Sequence, residues 1–185
     1  LAEDDYSFRA VWQTVGKVEM AEGGLAVEQD GEHFYIKGLP GPRLKLEADE
    51  VTGKNWSAYK HADPVVHILQ QIADVHLKKG ETYTYFNLLY CSDEAQPQDL
   101  KMTQVCDGVV RIEGGSEVAF AGVGDSAVVQ KIPGGPEVAA AQFHVSPSLF
   151  SLVDATSLVW NKVAIKADSP VSIEFDPTTG EGLVI

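Results

Sequence analysis

The chain has 185 residues, 44% of them hydrophobic and 22% charged, which supplies an ordinary buried core and excludes wholesale disorder. Acidic residues outnumber basic ones 27 to 14, for a net charge of −13; so acidic a surface repels a phosphate backbone and argues against nucleic acid as a partner. No stretch approaches the roughly 18 consecutive apolar residues of a membrane-spanning helix.

From the N-terminus, Tyr6 to Val18 reads as a first strand, with Phe8, Ala10, Trp12 and Thr14 on one face. Glu22-Gly23-Gly24 makes a turn, and Leu25 to Gln29 and His33 to Lys37 form a hairpin across Asp30-Gly31, the strongest short-range hairpin signal in the chain. Pro40 and Pro42 interrupt the sheet before a strand from Arg43 to Ala48. Asn55-Trp56-Ser57 has the form of a glycosylation sequon.

The segment from Asp63 to Gly80 supports two structures. Val65, Ile68, Leu69, Ile72, Ala73 and His76 share a helical face, Asp63 and Pro64 suit a helix start, and Gly80 suits its end. Val75, Leu77 and the Thr-Tyr run after Gly80 favour extended structure instead. A helix over residues 64–79 and a strand both remain open on local pattern.

Beyond Gly80, strands are expected through Tyr90, from Lys101 to Cys106, Val109 to Glu113, Glu117 to Val123 and Ala127 to Ile132. Asp107-Gly108 and Gly114-Gly115 supply turns, and Pro133-Gly134-Gly135-Pro136 reads as a loop between sheets. Ala139 to Val145 and Leu158 to Ile165 follow as strands, and a last hairpin, Val171 to Phe175 with Gly182 to Ile185, turns on Asp176 to Gly180. This grammar predicts a mainly β chain, an antiparallel sandwich or jelly-roll-like fold with at most one helix at 64–79, as a single domain over residues 1–185. Leu1 is not an initiating Met, which points to a mature form or a fragment of a larger protein.

Cys91 and Cys106 fall at the ends of two strands read as neighbours, so a disulfide and a pair of buried thiols are both open. The histidines His33, His61, His67, His76 and His144 make no HxH or HExxH pair, and neither cysteine has a CxxC partner. No metal, no cofactor and no catalytic residue is therefore assigned. Asp176 to Glu181 carries calcium-type oxygens but reads as a hairpin turn.

The aromatic residues are more suggestive. Tyr83 and Tyr85 share a face with Asn87, while Trp56 and Tyr59, with His61 beside them, stand in the region before Asp63. Exposed rings stack on sugar faces at low entropic cost, so Trp56, Tyr59, His61, Tyr83 and Tyr85 are the candidate ligand-binding set. The competing reading places the Tyr83–Tyr90 rings in the core of a two-sheet fold.

Three stretches, Tyr6-Ser-Phe-Arg-Ala-Val-Trp12 with Gly16, Gly80 to Tyr90, and Ser169 to Asp176 with Gly180, resemble the β-sandwich portions of heparinase II/III-type polysaccharide lyases. Such lyases carry their tyrosine and histidine acid–base residues largely on a helical domain that this chain lacks. The resemblance implies a non-catalytic accessory sandwich in a secreted or periplasmic, polysaccharide-related protein, binding or positioning a glycan, and it favours the strand reading of Asp63 to Gly80. Two alternatives stand beside it: an assembly module that contacts a protein partner, or itself, through a sheet edge, and a small polysaccharide lyase or hydrolase with a site near His61, His67 and Tyr83.

Overall fold

The computed structural model describes residues 3–49, 65–92 and 99–184. These are built of antiparallel strands with no helix among them, and the chain divides into two compact units, Leu1–Gln98 and Asp99–Ile185. The mainly β, sandwich-like reading of the sequence holds.

In the first unit, β1 (Asp4–Thr14), β5 (Arg43–Asp49) and β6 (Val66–Leu77) form a three-stranded sheet in the order β1-β6-β5. A second sheet, ordered β2-β3-β4-β7, contains β2 (Lys17–Ala21), β3 (Gly24–Gln29), β4 (Glu32–Gly38) and β7 (Asn87–Ser92). Alternation along β1 buries the face expected from the sequence: Tyr6, Phe8, Ala10, Trp12 and Thr14 are half-buried, and the residues between them are exposed. The long first strand stops at Thr14, because Gly16 takes φ +99 and its missing Cβ leaves room for the carbonyl of Glu28. The Asp30-Gly31 hairpin is as expected. Gln29 faces Glu32, and the two turn residues have φ of 54° and 88°, the left-handed pair that a two-residue hairpin loop requires. Leu25, Val27 and Ile36 from one sheet pack on Leu69 from the other, with Trp12, Phe34, Leu44 and Leu46 around them. That closes a two-layer sandwich.

The segment that supported both helix and strand is the strand β6, paired on both sides in the centre of its sheet. Its periodicity fits either form locally, but as a strand it buries Leu69, Gln71 and Ala73 towards the second sheet and satisfies its backbone on both edges. Gly80 lies in the turn after β6 rather than capping a helix.

The second unit is one nine-stranded sheet. Its path runs from β8 (Leu100–Cys106) through β9 (Val109–Gly114) and β10 (Glu117–Val123) to β13 (Gln142–Val145) and β14 (Phe150–Trp160). The two halves of one edge of β14 pair with β13 and with β12 (Glu137–Ala139), which leads to β11 (Gln130–Lys131); the other edge pairs with β15 (Val163–Phe175), followed by β16 (Gly182–Val184). The sheet curls, and the Gln130 side chain on β11 donates to the Asp107 carbonyl, 3.3 Å away in the turn after β8. Inside the curl lie Val109, Phe120, Phe143, Val145, Phe150, Leu152 and Leu158, with Trp160 set edge-on to Phe120.

Five sequence readings are corrected here. Ala127 to Ile132 is a strand only over Gln130–Lys131, and Ala139 to Val145 is divided between β12 and β13. Pro133 to Pro136 joins β11 to β12 within one sheet, not two sheets. Leu158 to Ile165 is not one strand but the tip of the β14–β15 hairpin, turning at Asn161-Lys162. Finally, β7 and β8, which carry Cys91 and Cys106, pair with β4 and β9 rather than with each other, and both cysteines are free thiols. The last hairpin falls where expected, between β15 and β16.

Candidate functional site

Of the five candidate ligand-binding residues, Trp56, Tyr59 and His61 lie outside the described residues. Tyr83 and Tyr85 sit in the extended segment just before β7, and that segment returns them to the inner side of β1. Tyr6 and Phe8, two apart on β1, stack with ring centres 5.7 Å apart and planes 16° from parallel. Phe8 stacks in turn on Tyr83 at 6.2 Å and 7°, and Tyr85 meets Tyr83 edge-on at 5.0 Å. Four rings thus form a continuous row from the start of β1, each half-buried. The Tyr85 hydroxyl donates to the backbone carbonyl of Phe8 at 2.9 Å or of Gln71 at 3.3 Å, which anchors this end of the row. Burial raises the pKa of both Tyr83 and Tyr85 above the ordinary phenol value, so both hydroxyls stay neutral across physiological pH.

At the Tyr6 end, a shallow groove of about 320 Å³ is lined by Asp5, Tyr6, Ser7, Asp74, Val75 and His76. Strand register explains the lining. Asp5 faces His76, Tyr6 faces Val75 and Ser7 faces Asp74 across the β1–β6 ladder. The odd positions of β1 and the even positions of β6 share the outer face, so carboxylates, a hydroxyl and an imidazole are gathered there at cross-strand spacing. Asp5 Oδ1 lies 2.9 Å from His76 Nδ1, and Glu3 Oε1 lies 3.7 Å from Nε2. The hydrogen bond to Asp5 is the main reason that the His76 pKa rises above its ordinary value.

Further along the same outer face, Arg9 reaches the Gln70 carbonyl oxygen at 3.4 Å, the Gln70 amide donates to Glu47 at 2.7 Å, and Glu47 pairs with Lys45. Lys45 is the leading cause of a lowered Glu47 pKa. The outer face of this sheet therefore carries a hydrogen-bonded polar network beside the apolar Ile68 and Ile72.

Of the residues named for a hydrolytic site, His61 lies outside the described residues, and His67 and Tyr83 are far apart. His67 faces Thr14 and Ala48 at one end of β6, while Tyr83 stacks on Phe8, level with Ala73. Six strand positions separate those levels, roughly 20 Å at about 3.4 Å per residue. His76 stands on the exposed outer face, not towards the core as a helix would have placed it. Among the described residues no group of three His, Cys, Asp or Glu side chains is placed to hold a metal ion, and no helix is long and apolar enough to cross a membrane.

Asp176 is engaged within its own turn. Its Oδ1 accepts from the Thr178 amide at 2.7 Å, the Thr178 hydroxyl at 2.6 Å and the Thr179 amide at 3.3 Å, and these bonds lower its pKa. Cys106 is half-buried with a raised pKa, chiefly from burial, and so is held as a thiol.

Sequence reasoning found the Tyr83 and Tyr85 end of the row and missed Tyr6, Phe8, Asp74 and His76. The signal for Tyr6 was present in the alternation of the first strand. The signal for Asp74 and His76 required reading 66–77 as a strand in register with β1. Neither a family model, nor a curated protein, nor a solved structure matches this chain.

Proposed function

We propose that the chain is a non-catalytic β-sandwich module of an extracytoplasmic, polysaccharide-related protein, and that it binds or positions a glycan on its first unit. The observation that supports this reading is the groove on the outer face of the β1–β6 pair lined by Asp5, Ser7, Asp74 and His76, whose lining also includes Tyr6, the first of the four rings stacked on the inner side. A sugar ring presents an apolar face and a rim of hydroxyls. The clustered acceptors and donors answer the hydroxyls, Tyr6 is the one aromatic residue in the lining, and about 320 Å³ lies at the lower end of small-ligand clefts. Trp56, Tyr59 and His61 belong to the proposed binding set with Tyr83 and Tyr85.

Affinity electrophoresis of the full chain through gels containing neutral, uronate or sulfated polysaccharides tests the reading. Retardation in one gel, with the polymer left intact, is the expected result, and Asp74→Ala should weaken it by about tenfold, the equivalent of ~1.4 kcal/mol. Free migration in every gel rejects glycan binding. A second reading, assembly through a sheet edge, draws on a different feature, the edge of β1 that is unpaired among the described residues.

A further inference from the structure

Every open sheet ends in strands with one unsatisfied edge, and such edges are normally kept short or blocked by Lys, Pro or a bulge. Most edges here obey that rule. β5 and β8 have seven residues and carry Lys45 and Lys101, β7 has six, β2 has five, β16 three and β11 two. The exception is β1, with 11 residues, no Pro, Gly or Lys, and an unbroken register against β6. Among the described residues, β1 is in ladder with β6 alone. Its outer face is open, with Asp5 89% exposed in its side chain and Val11 52% exposed.

We infer that this edge pairs with the β1 edge of a second copy of the chain, antiparallel, about a two-fold axis through Ser7 perpendicular to the sheet. Such an axis keeps the inner faces of both copies on the same side, so outer-face residues must oppose outer-face residues. Centring on Ser7 places Asp5 opposite the partner's Arg9 and Arg9 opposite the partner's Asp5, and it brings Tyr6 opposite the partner's Phe8 on the inner side. Opposite charges at facing positions stabilise an antiparallel pair, and like charges oppose it. Centring on Asp5 sets Asp5 against itself, and centring on Arg9 sets Arg9 against itself. Centring on Tyr6 leaves Asp5 against Ser7, and centring on Phe8 leaves it against Val11. The sequence of this strand therefore selects one register, and the two three-stranded sheets join into a single six-stranded one. The inference deepens the assembly reading and is independent of the glycan reading, which electrophoresis tests separately.

The experiment is sedimentation velocity of the full chain over a range of micromolar concentrations, for the parent, Asp5→Arg, Arg9→Asp and the double variant. The parent should approach twice its 20.0 kDa mass. Each single variant sets like charges opposite one another twice and should weaken self-association by about tenfold or more. The double variant should restore it. Mixing Asp5→Arg with Arg9→Asp should give a heterodimer, because one chain then carries arginine at both facing positions and the other carries aspartate at both. The mixing result does not depend on either single variant self-associating. A parent that stays monomeric throughout, single variants that associate like the parent, or a mixture that stays unpaired each overturns the inference.

Discussion

At the scale of single residues, the first unit is organised around a buried amide. Gln71 is 2% exposed, and a buried amide without partners would be costly. Its carbonyl oxygen accepts from the Trp12 indole at 3.2 Å and its amide donates to Asn87 at 2.6 Å, so it ties β1 and β6 to β7 across the sandwich. Gly38 makes this possible: a Cβ built there falls 2.6 Å from Gln71 Nε2 and 3.0 Å from Asn87 Oδ1. Gly38→Ala must push apart two buried groups that bond each other, and it should lower stability by about 1–3 kcal/mol. Urea denaturation checks this, and an unchanged midpoint would show that the pair relaxes freely. None of this network was legible in the sequence. A glutamine in an apolar strand announces neither its partner nor the distant glycine that leaves it room.

At the scale of elements, legibility followed turn chemistry. Asp30-Gly31 and Asp107-Gly108 were read correctly because Gly adopts φ above zero without strain. The β14–β15 hairpin was missed because its turn uses Asn161 at φ 53 followed by Lys162, and the surrounding apolar run masks so brief an interruption. Register shifts hid it further. Between Ala155 and Ser157 on β14, the partner strand runs from Val171 to Lys166, so Ala167 to Pro170 bulges out of β15, a setting in which a strand tolerates Pro. Asn is among the few residues that enter the left-handed region readily, whereas a β-branched side chain pays about 1–2 kcal/mol there. Asn161→Val should therefore lower the stability of the second unit by that amount while Asn161→Gly leaves it nearly unchanged. Thermal melts of the two variants distinguish a strained turn from a simple loss of the asparagine side chain, which would affect both alike. The helix pattern over 64–79 gave way for a related reason: local periodicity cannot report that β1 and β5 stand ready on either side to satisfy the backbone.

At the scale of the whole molecule, the two units should respond to acid in opposite ways, because among the described residues each carries one histidine with a shifted pKa. His76, in the first unit, has a raised pKa from its bond to Asp5. Its contribution is fully present below the ordinary histidine value of 6.5 and is lost as pH rises through the higher folded value. His144, in the second, is half-buried between Ala121 and Ser151, and desolvation lowers its pKa. The unfolded chain binds that proton more readily, so the second unit loses stability as pH falls through 6.5 towards the depressed value. Glu47 and Asp176 have lowered values, so their contributions hold across this window and fade only at lower pH. Native-state hydrogen exchange between about pH 8 and pH 5.5 should show the Leu25 and Leu69 amides gaining protection while those of Phe120 and Leu152 lose it, after correction for intrinsic rates. Asp5→Asn should remove the gain in the first unit and leave the loss in the second. Parallel changes in both sets of amides would mean that the chain opens as one cooperative body, with no separate histidine response in either unit.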